Sequence, residues 1–108
     1  MSIKRITAIV PLELLDTLEQ NLRRCGVPGV TVEHVRGYGE HPNFFRRDLM
    51  RNNVRVVLYA SEARVDDIIG ALADSAQGSG AAAGIVSVET VERLVALPHG
   101  RDVDPAEM

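Results

Sequence analysis

A chain of 108 residues with 45% apolar side chains can build one hydrophobic core but not two. A net charge of -3 at pH 7 excludes broad attraction to nucleic acid or anionic lipid, although local basic clusters can still bind anions. The single cysteine, Cys25, excludes an internal disulfide and a thiolate metal site; with no signal-like or membrane-length apolar run, a soluble cytoplasmic protein is expected.

Residues 3–10, "IKRITAIV", are β-branched and apolar, and Pro11 disfavours helix at Val10, so a strand is predicted to stop there. In "LELLDTLEQNLRRCG" the spacing of Leu15, Leu18 and Leu22 predicts a helix. Arg23 and Arg24 lie in its last turn, and Gly26 can supply the left-handed cap. "GVTVEHVRGYG" reads as a second strand with glycines at its end, and "VRVVLYA" as a third. Val65, Ile68, Ile69, Leu72, Ala73 and Ala76 recur at helical spacing in "SEARVDDIIGALADSAQG", which Gly78 closes. "IVSVETVERLVAL" gives a last strand with an irregular turn near Glu92, followed by a polar, proline-punctuated tail.

This order, βαββαβ, is a doubled unit. Its pattern is that of the ferredoxin-like α+β sandwich, one antiparallel sheet with both helices on one face. In the third strand Val54, Val56 and Leu58 alternate with Arg55, Val57 and Tyr59, so both faces carry apolar groups. A solvated face does not require Val57 and Tyr59, and the free face is expected to pack on other subunits.

Most chemical motifs are weak. "GSGAAAG", Gly78 to Gly84, has the glycine spacing of a dinucleotide loop, but these glycines leave a helix and enter a strand, the reverse of what that fingerprint requires. No Lys-Ser or Lys-Thr follows, which excludes a P-loop. A turn ending the helix and a backbone nest for phosphate both remain open. His34, His41 and His99 are too scattered for a metal site, and Glu40 beside His41 reads as a surface pair. Asp66 and Asp67 suit a helix N-terminus. No nucleophile with a base can be assembled, so no catalytic residue is expected.

The stretch "VRGYGEHPNFFRRDLMRNN" differs. Arg36, Arg46, Arg47, Arg51 and Arg55 need solvation, acidic partners or an anion, and permanently exposed Phe44 and Phe45 would invite association. A loop that folds over a ligand or docks on a partner accommodates rings and cations together.

The chain resembles the PII signal-transduction family to about Gly100, on "AIVPLELLDTLEQNL", on "CGVPGVTVEHVRGYG" as the family's G-x-x-G-x-T-V-x-x-V-x-G-x-G stretch, and on "DDIIGALADSAQGSG". The resemblance implies one domain over residues 1–100, a loose tail over 101–108, and a trimer with adenine nucleotide between neighbours. It also implies a partner-binding T-loop at about Glu40 to Asn53. Thr31, Gly37, Tyr38 and Gly39 match positions near base and ribose; Gly84 and Ile85 fall in the phosphate-side loop. Arg46, Arg47, Arg51 and Arg55 become candidate anion or T-loop cations, and Phe44 and Phe45 candidate partner contacts.

The sequence departs from the family where phosphate is held. The T-loop is shorter, the lysine before the third strand is Asn53, and the Gly-Asp-Gly-Lys pattern has become Ala82, Ala83, Gly84 and Ile85. Two late arginines fall near Ala96 and Pro98. Each loss removes a charge-assisted contact of roughly 1.5 to 3 kcal/mol. The resemblance to short-T-loop relatives therefore implies a non-enzymatic sensor of AMP or ADP, with bicarbonate as a second ligand, acting on inorganic-carbon uptake. A transporter regulator unconnected with carbon, a ligand-independent interaction module and a small ferredoxin-like enzyme are the alternatives. RNA binding is disfavoured because the central strands offer only Tyr59 for stacking.

Overall fold

The computed structural model describes residues 2–37, 51–77 and 83–108. Along the chain these form β1 (Ile3–Pro11), α1 (Leu15–Arg24), β2 (Thr31–Gly37), β3 (Arg51–Ser61), α2 (Val65–Ser75), β4 (Ile85–Val91), β5 (Val95–Ala96) and β6 (Arg101–Asp102). A 3-10 turn precedes each long helix, at Leu12–Leu14 and Glu62–Arg64, and a third covers Pro105–Glu107. Among the described residues no helix is long and apolar enough to cross a membrane.

The main sheet has the order β2-β3-β1-β4, and each neighbouring pair is antiparallel. This is the ferredoxin-like arrangement expected from the doubled pattern. Strand alternation selects the core: Ile6, Ala8 and Val10 of β1 and Val54, Val56, Leu58 and Ala60 of β3 are buried against Leu18, Leu22, Ile68 and Leu72 from the helices. A shift of 50 positions maps one half on the other: Leu15 onto Val65, Leu18 onto Ile68, Leu22 onto Leu72.

Helix α1 ends as its sequence predicts. Gly26 takes φ +86°, its N–H donates to the Arg23 carbonyl, and the Val27 N–H donates to the Leu22 carbonyl, which closes a Schellman cap. The Arg64 guanidinium, at the foot of α2, donates to the Cys25 carbonyl and lies 3.6 Å from the Cys25 sulfur. Between the helices the Asn21 amide donates to the Ser75 hydroxyl (3.1 Å), which itself donates to the Ala71 carbonyl (2.9 Å).

Three boundaries differ from the sequence reading. Strand β1 runs through Pro11, whose missing N–H costs nothing at a strand end. Strand β3 starts at Arg51, so residues 51–53 of the expected T-loop are strand, paired with Val35–Gly37. The expected loose tail contains structure: Arg101–Asp102 pairs with Val95–Ala96, and the Val103 N–H donates to the Leu94 carbonyl. Arg93 donates from Nε and Nη2 to one oxygen of Asp102 (3.1 and 3.0 Å), a tie across nine residues that composition does not reveal. The C-terminal segment covers one end of the sheet, where Ile3, only 6% exposed, shares a cavity with Val91, Leu94, Val103 and Pro105.

Candidate functional site

Strand register gathers the predicted glycine positions at one end of the sheet. Gly37 is the last residue of β2 and faces Arg51; Val35, Asn53 and Pro11 stand in one row; Ile9 faces Ile85, the first residue of β4. Gly37 and Gly84 nevertheless belong to opposite edges. Three inter-strand spacings separate them, about 14 Å, so no single small anion can touch both backbones within one protomer.

The two glycines have different physical origins. Gly84 has φ +142°, and a Cβ there would lie 2.2 Å from the Ile9 carbonyl oxygen, so the packing of β4 on β1 alone demands glycine. Among the described residues, a Cβ at Gly37 would meet nothing within 4 Å. A strand-terminal glycine with open space beside it weakens the strand with no return in packing. The described part of the protomer gives no reason for it.

Thr31, the first residue of β2, is exposed and faces Val57, six residues from Gly37 along the same edge. Ile85 is half-buried beside Gly84. Tyr38, Gly39, Phe44, Phe45, Arg46 and Arg47 lie outside the described residues, as does most of the predicted T-loop. Arg51 is placed by its backbone at the start of β3. Arg55 belongs to no loop: it lies within β3 on the helix-free face, where its Nε donates to Glu33 across the strand pair at 3.0 Å. An arginine already held by a carboxylate is a poorer anion ligand than the sequence reading assumed.

That face is more polar than expected. Arg5 of β1 donates to Glu89 of β4 at 2.6 Å and lies 50 positions before Arg55, while the acids Glu33 and Glu89 stand on the two edge strands. The Glu89 hydrogen bond and charge raise the Arg5 guanidinium above its ordinary pKa, with a smaller contribution from Tyr59. The Arg55 hydrogen bond and charge hold the Glu33 carboxyl below the ordinary 4.5, and Glu33 in turn raises Arg55. Between the pairs lies a shallow concavity of about 340 Å³ floored by Thr7, Ile9, Val57 and Ser87. The sequence reading missed both pairs, although Arg5 and Arg55, exactly one repeat apart, were the available signal. A second cavity, about 260 Å³, opens on the other side of β2 between Glu19, Leu22 and Arg23 of α1 and the Val27–Val30 connection.

A family model described as nitrogen regulatory protein P-II matches residues 3–99. The nitrogen regulatory protein P-II of Pasteurella multocida (strain Pm70) is 29% identical over 110 residues, covering 95% of this chain and 98% of that protein. Its Haemophilus influenzae counterpart is 27% identical, with the same coverage of both chains. Among solved structures, Arabidopsis thaliana PII bound to citrate aligns with a TM-score of 0.81 at 23% identity, over 97% of this chain and 92% of that one. This last likeness bears on the fold.

Proposed function

The chain belongs to the nitrogen regulatory protein P-II family of signal-transduction regulators, and from that premise we propose that it is a non-enzymatic sensor which binds AMP or ADP, with bicarbonate as a second ligand, between the subunits of a trimer. The ligand-bearing edges are β2 with Thr31, Gly37, Tyr38 and Gly39, and β4 with Gly84 and Ile85. The observation that carries this reading is Gly37: no described residue fills its side-chain space, and it shares one end of the sheet with Gly84 on the opposite edge. A ligand reaching both glycines has to be about as long as a nucleotide. The depleted phosphate-side charge at Asn53, Ala82, Ala83 and Ile85 favours a nucleotide with fewer phosphates than ATP.

Residues 40–50, with Phe44, Phe45, Arg46 and Arg47, carry the output. Ligand shifts this loop only insofar as its two states hold the ligand differently. The regulated partner is an inorganic-carbon uptake system or another transporter.

Isothermal titration with AMP, ADP, ATP, bicarbonate and citrate tests the reading. Heat is expected with AMP or ADP, enhanced by bicarbonate, and absence of heat with every ligand defeats it. Gly37→Val should abolish that heat while leaving stability within about 0.5 kcal/mol, because its side chain meets none of the described residues. Unchanged affinity in the folded variant would remove Gly37 from the site.

A further inference from the structure

Helix α1 and strand β2 leave a cavity between them. It measures about 260 Å³, lies on the helix side of β2, and is lined by Leu22, Val27, Val30 and Val32 with Glu19 and Arg23 at one side. Val32 packs toward the core here, whereas Thr31 and Glu33 face the helix-free side, so the cavity and the proposed nucleotide edge lie on opposite sides of the strand. The connection that forms its wall is already fixed: the Val27 N–H donates to the Leu22 carbonyl, and Arg64 donates to the Cys25 carbonyl just before it. A pocket with fixed walls binds without first ordering itself.

Two charges of opposite sign stand at its rim. Glu19 and Arg23 are four residues apart on α1, in the order that favours an intrahelical pair. Among the described residues they form no such pair, and no side-chain hydrogen bond engages either. Glu19 is nevertheless half-buried. A carboxylate drawn partly out of water beside an apolar cavity, with no described donor on it, has acceptor positions left for a cationic group. Arg23 offers the matching donors for an anionic one.

We propose that this cavity binds a free amino acid with a branched apolar side chain, its ammonium group on Glu19, its carboxylate on Arg23, and its side chain against Leu22, Val27, Val30 and Val32. A simple cation is repelled by Arg23 and a simple anion by Glu19, whereas a zwitterion is attracted at both ends. The apolar floor supplies the affinity for the side chain. The space is smaller than the roughly 300–1,000 Å³ of pockets for drug-sized ligands, which suits a molecule of amino-acid size. This is a second ligand position and does not depend on the nucleotide reading.

The full-length protein is titrated calorimetrically with L-leucine, beside isoamylamine, which lacks the carboxylate, isocaproate, which lacks the ammonium group, and glycine, which lacks the side chain. Leucine is expected to bind with a dissociation constant below about 1 mM, and each analogue at least about tenfold more weakly. Glu19→Gln and Arg23→Gln should each weaken leucine at least about tenfold. Arg24→Gln, whose guanidinium meets Asn21 instead, should not. Absence of heat from leucine up to about 20 mM overturns the proposal, as does an affinity that ignores both Glu19→Gln and Arg23→Gln or that falls equally with Arg24→Gln. AMP titrated into the same variants should bind as it does to wild type, so loss of leucine binding with AMP binding kept separates the two sites.

Discussion

Gly84 and Gly37 show how one residue type answers to different causes. At Gly84 a methyl group would meet the Ile9 carbonyl and force an L-residue into φ +142°. Gly84→Ala should therefore cost on the order of 3 kcal/mol whether or not a ligand binds, read as a lower denaturation midpoint; an unchanged midpoint would show that β4 can shift away from β1. The Glu33–Arg55 pair is a weaker element, since its side chains are 51% and 42% exposed. Arg55 lowers the folded-state pKa of Glu33 below its unfolded value, so the pair stabilises the fold above about pH 4.5 and ceases to do so as the pH falls through the folded value. A small difference in thermal midpoint between wild type and Glu33→Gln should be present at pH 7 and vanish in acid. A difference that grows in acid would contradict the assigned partner.

At the scale of elements, the C-terminal end of α1 is fixed to both ends of α2. The Arg64 guanidinium reaches from the foot of α2 to the last carbonyl of α1, where the helix dipole also favours a cation. Arg64→Ala should lower stability by about 1.5 kcal/mol, the value of a hydrogen bond to a charged donor, checked by urea titration; an unaltered midpoint would mean that water replaces the guanidinium without loss. The Asn21–Ser75 contact performs a similar tie near the other end of α2. Both ties were illegible in the sequence because their partners stand 39 and 54 positions apart. The helices themselves were legible: Leu18, Leu22, Ile68 and Leu72 repeat at the helical period and are the residues buried.

For the whole molecule, assembly is the decisive property, because the proposed nucleotide site lies between two copies. Periodicity by itself determined the βαββαβ order, the two helix faces and the inward residues of β1 and β3, since alternation and the 3.6-residue repeat are local properties of the chain. The family resemblance was equally present in the glycine spacing of residues 26–39. Tertiary structure alone decided that Arg55 answers to Glu33 and Arg5 to Glu89, that Arg93 anchors a folded C-terminal hairpin through Asp102, and that Gly84 is claimed by Ile9 while Gly37 is not. Those outcomes depend on strand order and register, which bring together residues from distant parts of the chain, and no local pattern encodes which two will meet.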